Sequence, residues 1–130
     1  MRKIRFFGVC FLAGIFLVAC GVKEISLGAE DAGKKIELTV GEKMLVTLDS
    51  NPTTGFVWEI AEIDEAVLLQ QGEAKYSSEE TSLVGSGGVE AFTFEAVGAG
   101  KTALQLIYHR PWEEDVEPVE VFSVTVVVTE

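Results

Sequence analysis

From residue 35 onward, apolar and polar residues alternate with a period of two. Ile36, Leu38 and Val40 alternate with polar neighbours, and Gly41-Glu42 then marks a turn. Met44, Val46 and Leu48 continue the pattern, and Phe56, Trp58 and Ile60 resume it after a short break. Phe92, Phe94 and Ala96 form the next run, Gly98-Ala99-Gly100 turns the chain, and Leu104, Leu106 and Tyr108 follow. Phe122, Val124, Val126 and Val128 make the longest run. Successive side chains of a strand point to opposite faces, so each set predicts one buried strand face. Residues 62–69 read as a helical turn leading into a short strand at 67–71, and residues 75–77 as a weak strand. Nowhere is helical spacing sustained. Short strands with turns at intervals of roughly 8–12 residues predict an all-β, antiparallel sandwich. Trp58 is the expected core tryptophan between its sheets, with Phe56, Phe92, Phe94 and Tyr108 in core roles.

Three irregular segments interrupt the alternation. The first is Asn51-Pro52-Thr53-Thr54-Gly55-Phe56. Pro52 fixes its own φ and biases Asn51 away from the helical region, and Gly55 can take φ > 0. The two threonines are β-branched and stiff. Such a loop is rigid without a partner and carries two small hydroxyls at its tip. Taken alone, it also reads as an ordinary strand connection. The second segment, Leu83-Val84-Gly85-Ser86-Gly87-Gly88, has three glycines in four positions. The third opens with Arg110-Pro111-Trp112 and continues through an acidic stretch to Pro118. Two strand crossings separate each segment from the next, so all three are expected at one end of the sandwich.

Composition narrows the chemistry. The 130 residues suffice for one domain. Ten Lys and Arg against 21 Asp and Glu give −11, which argues against nucleic acid as a partner because phosphate binding needs a basic face. His109 is the single histidine, and no serine lies in a nucleophile-elbow pattern. One histidine and so few thiols argue against zinc. Glu113, Glu114, Asp115 and Glu117 lack the alternating ligand spacing and central glycine of a calcium loop and read as a solvated acidic face. No glycine pattern follows a strand and opens a helix, as a nucleotide site requires. The expectation is a protein that is not an enzyme, with no cofactor and no metal.

The first nineteen residues have the pattern of a targeting segment. Arg2, Lys3 and Arg5 precede an apolar run over residues 6–18, which is short for a bilayer span. Leu17-Val18-Ala19-Cys20 resembles the bacterial lipobox, in which the cysteine is lipidated and becomes the first residue of the mature protein. The other readings are a plain signal peptide cut near Ala19 and an uncleaved anchor. On the lipobox reading, residues 1–19 are a lipoprotein signal peptide, 20–33 the lipidated N-terminus and tether, and 34–130 the folded domain. The mature chain keeps seven cations against 21 carboxylates, a charge of −14. Its one cysteine, Cys20, is the lipid site, so the exported domain contains no disulfide. This places the protein in the bacterial cell envelope, held to a membrane by an N-terminal lipid.

The three segments, in this order and spacing, resemble the chagasin-type inhibitors of papain-like cysteine peptidases. Asn51-Pro52-Thr53-Thr54-Gly55-Phe56, Gly85-Ser86-Gly87-Gly88 and Arg110-Pro111-Trp112 carry the resemblance, which extends over residues 35–130. It implies an immunoglobulin-like sandwich, here a monomer, that presents these loops to the peptidase cleft. It also implies that Thr53 and Thr54 approach the enzyme's catalytic cysteine and histidine. The glycine loop has no bulk, so its backbone can pair with an extended edge. Trp112 and Arg110 are residue types that often dominate interface energy. A surface adhesion or carbohydrate-binding lipoprotein module is the competing reading. It would call for an exposed aromatic platform, whereas most rings here fall on inward positions.

Overall fold

A computed structural model describes residues 23–78 and 87–130. The leader, Cys20, Gly85 and Ser86 lie outside the described residues. Among the described residues, nine strands form two sheets: β1 (Glu24–Leu27), β2 (Lys35–Thr39), β3 (Lys43–Ser50), β4 (Val57–Glu62), β5 (Leu68–Gln70), β6 (Lys75–Ser78), β7 (Gly88–Ala96), β8 (Gly100–His109) and β9 (Glu120–Thr129). One sheet runs β1-β3-β7-β5, with β6 also on β7, and the other runs β2-β9-β8-β4. The predicted sandwich is therefore present.

Its inner faces are the alternating residues. Met44, Val46, Phe94 and Leu68 of one sheet meet Leu104, Leu106, Phe122 and Val126 of the other, all essentially inaccessible to solvent. Burying a large apolar side chain stabilises by about 1.5–3 kcal/mol, so this layer is a main contribution set against the ordering cost of the chain. Trp58 is 6% exposed, and its indole N–H donates to the Asp49 carbonyl at 2.9 Å.

Three expectations need correction. The sheets are mixed and not purely antiparallel: β1 lies parallel to β3, and β2 parallel to β9. The reason is that the chain lays β1 on one sheet and crosses at once to the other, so neither strand is hairpinned to its neighbour. The folded domain also starts earlier than residue 34. Residues 24–27, read as tether, are β1, with Leu27 buried and Ile25 packed on the core. Two apolar positions are too few to show a period. Val40, third in its alternating set, is 42% exposed because β2 ends at Thr39 and the chain turns at Gly41, φ 98°.

The ambiguous stretch resolves as a turn and a short strand. The Asp64 carbonyl accepts from the N–H groups of Val67 and Leu68, both at 3.0 Å, and β5 follows. A bulge between Ile60 and Glu62 shifts β4 against β8, which leaves Ile60 only partly buried.

The registers define two poles. Ser50 pairs with Gly88, Gly88 with Ser78, Val57 with His109, and Tyr108 with Glu120. The ends of the strands flanking all three irregular segments therefore gather at one pole. Lys43, Glu95, Gly100 and Val128 mark the other.

Trp58→Ala removes a buried ring and leaves the Asp49 carbonyl without this donor. It should cost about 3–5 kcal/mol. A urea unfolding midpoint within error of the parent protein would contradict the placement of Trp58 in the core.

Candidate functional site

The first loop is built by its own sequence. Residues Pro52–Thr54 form one 3-10 turn, closed by Thr54 N–H to the Asn51 carbonyl (3.1 Å) and Gly55 N–H to the Pro52 carbonyl (3.0 Å). Proline suits the first turn of a helix because its missing N–H would be unpaired there anyway. Asn51 caps the turn: its Oδ1 accepts from the Thr53 N–H (3.2 Å) and from the Thr53 hydroxyl (2.5 Å). The Thr54 hydroxyl donates to the Asn51 carbonyl at 2.7 Å. Thr53 and Thr54 are exposed, yet both hydroxyls donate inside the loop, and the Thr54 hydroxyl oxygen also accepts from the Phe56 N–H at 3.4 Å. Gly55 ends the turn at φ 85°, a conformation that side chains resist.

The third segment docks on the first. A Cβ at Gly55 would lie 2.5 Å from Cη2 of Trp112, so the indole is laid across the bare glycine backbone. Trp112 is nevertheless 66% exposed, which makes it a large apolar plate facing solvent. Pro111 is exposed beside it. Arg110 turns inward. Its Nε donates to the Thr54 carbonyl at 3.2 Å, its guanidinium sits 4.4 Å from the centre of the Phe56 ring, and a terminal nitrogen donates to Glu113 at 3.3 Å. The Glu113 N–H donates back to the Arg110 carbonyl, closing the turn. Arg110, expected as a contact residue from its type, also ties the two loops together through these bonds.

Beneath these loops stands a stack of rings. Tyr108 lies between Trp58 and Phe56, with centroids 4.9 and 5.4 Å away. Its hydroxyl accepts from the Asn51 N–H at 2.9 Å, so a residue of β8 holds the end of β3. The sequence placed Tyr108 inward but not its hydroxyl at the loop. The available signal was that a buried tyrosine O–H needs a polar partner.

Of the glycine segment, Gly87 and Gly88 are described, and Gly85 and Ser86 are not. Gly87 has φ 76° and sits against Asn51: an added Cβ would come within 3.1 Å of the Ser50 carbonyl and 3.2 Å of Asn51 Cβ. Gly88 lies between β3 and β6, where a Cβ would approach the Ser77 carbonyl to 2.1 Å. The base of this segment thus abuts the first loop. An open groove of about 380 Å³ runs between them, lined by Asp49, Ser50, Asn51, Tyr108 and Glu120. Next to it, burial pushes the Glu90 carboxyl above its ordinary range, and a hydrogen bond from the Ser50 hydroxyl partly offsets this.

His109 pairs with Glu59 across β4 and β8. Among the described residues, no group of three His, Cys, Asp or Glu could hold a metal ion.

Residues 37–126 match the family described as chagasin family peptidase inhibitor I42. The chain is 35% identical over 97 residues to chagasin of Trypanosoma cruzi, covering 71% of this chain and 86% of that protein. Among solved structures, the cysteine protease inhibitor EhICP2 of Entamoeba histolytica superposes with a TM-score of 0.70 at 20% identity, over 82% of this chain and 96% of its own. PbICP-C, solved in complex with falcipain-2, gives 0.59 at 16% identity, over 82% and 99%. At these identities the two structures speak for the fold.

Tyr108→Phe keeps the stack and removes the acceptor of the Asn51 N–H. A net loss of about 1 kcal/mol is expected, read as a roughly five-fold faster hydrogen exchange at the Asn51 amide. Unchanged exchange there would show that the hydroxyl does not hold the loop.

Proposed function

The chain belongs to the chagasin family of peptidase inhibitors, and we propose that its loop pole inhibits papain-like cysteine peptidases by reversible, competitive occupation of their active-site cleft. The observation that carries this is the joining of the threonine turn to an exposed tryptophan across Gly55, beside the base of the glycine segment. That surface is narrow, rigid and already in place before any partner arrives. The likeness to PbICP-C, solved with falcipain-2, supports the choice of peptidase class.

The chemistry is that of obstruction. A peptidase cleaves an extended segment, and residues Pro52–Thr54 are wound into a 3-10 turn. Thr53 and Thr54 fill the space before the catalytic groups, and no thiol beyond Cys20 exists in the mature sequence to form a covalent bond. Trp112 seats on the cleft wall, with Arg110 and Phe56 as its support. Gly85, Ser86, Gly87 and Gly88 offer backbone donors and acceptors to an extended edge. An interface of the standard size, about 800 Å² per partner, with loops ordered in advance is compatible with nanomolar binding, about −12 kcal/mol. A carbohydrate platform has little to stand on, since Tyr76 and Trp112, the strongly exposed rings among the described residues, lie on different elements.

Titration of residues 21–130 against papain and against a serine peptidase tests this reading. Papain should be inhibited competitively and the serine enzyme left active. Trp112→Ala should weaken inhibition by about 2 kcal/mol, roughly 30-fold. Equal inhibition of both enzymes, or a Trp112→Ala protein as potent as the parent, would overturn it.

The lipobox supports a second part of the proposal, anchoring through Cys20 in the bacterial envelope. Cys20→Ser should lose fatty-acid label and leave the membrane fraction. Label retained by that variant would refute anchoring at this residue.

A further inference from the structure

The position of β1 bears on how an anchored inhibitor would meet its target. β1 runs parallel to β3, with Glu24 opposite Lys43 and Leu27 opposite Val46. β3 carries the first loop at its C-terminal end, so β1 begins at the pole opposite the loops. Ahead of β1, the Lys23 carbonyl accepts from the Lys43 N–H at 3.0 Å. Only residues 21 and 22 separate Lys23 from Cys20. Three Cα–Cα steps reach at most about 11 Å. The eight residues of β3 carry the chain about 25 Å further toward the loops.

Resting on the lipid-anchor reading, we propose that the membrane-bound protein stands with its loop pole turned away from the bilayer, and that the partner is a soluble peptidase arriving from the aqueous side. The anchor is attached to the sheet and not to a long free tether, so the lipid fixes which pole faces the headgroups. Charge favours the same pose. Residues 110–120 at the loop pole hold Glu113, Glu114, Asp115, Glu117 and Glu120 against the single cation Arg110. An inverted pose would press these carboxylates against anionic headgroups within a Debye length, about 8–10 Å, where repulsion is not screened. The upright pose leaves the threonine turn and Trp112 clear of lipid, as cleft entry requires.

The test uses the full lipidated protein in phosphatidylglycerol–phosphatidylcholine vesicles that contain a nitroxide headgroup lipid. A fluorophore is placed on Val97→Cys, in the β7–β8 turn at the far pole, or on Glu114→Cys at the loop pole. Quenching at position 97 should exceed that at position 114 several-fold, and vesicle-bound protein should inhibit soluble papain within about two-fold of residues 21–130. Equal quenching, or more at position 114, would overturn the orientation while leaving the anchor intact. Mass spectrometry of the starting protein separates the two ideas: absence of acyl mass on Cys20 overturns the anchor and the orientation with it.

Discussion

The loop pole depends on Tyr108. Its ring is clamped between Trp58, which belongs to the core, and Phe56, which belongs to the first loop. Its hydroxyl holds the Asn51 amide at the point where the chain leaves one sheet for the other. Above Phe56 lies the Arg110 guanidinium, bonded to the Thr54 carbonyl and to Glu113. One column of contacts therefore runs from the packed interior to the solvent-facing tryptophan. Aromatic pairs add about 0.5–1.5 kcal/mol beyond their buried area, and a cation over a ring about 0.5–1 kcal/mol at an exposed site. Each contact is modest, but they act in series, and the rigidity of the wedge comes from the core beneath it.

That arrangement accounts for how a small domain without a disulfide can block an enzyme. Ordering a loop on binding costs about 0.5–1.5 kcal/mol for each immobilised flexible side chain. Here the turn is proline-started, asparagine-capped and glycine-ended, and its hydroxyl donors are already used. Folding has met most of that cost in advance. Glycine at position 55 is required twice, once for its positive φ and once for the indole lying on it.

Most of the sandwich was legible in the period-two alternation, because burial of one strand face leaves that trace directly. Residues 44–48, 92–96, 104–108 and 122–128 all show it, and their alternate apolar positions are all core. The parallel pairs at the sheet margins were not legible, since alternation records facing and not strand direction. Strand β1 was missed because two apolar residues carry no period. At the site, motif order placed three segments at one pole, and the registers agree for their described ends. The roles of Arg110 and Tyr108 were hidden for one reason. Each acts through a contact more than fifty residues away, with Thr54 and Asn51 respectively, and sequence spacing does not encode such contacts.

The central claim is that the loop pole fills the catalytic cleft of a papain-like peptidase. Alkylation of papain's active-site cysteine by iodoacetamide, followed at rising concentrations of residues 21–130, measures this directly. Cleft occupancy predicts that the alkylation rate falls in proportion to the bound fraction and recovers fully when the complex is diluted. Alkylation at the free-enzyme rate under saturating inhibitor would contradict the account.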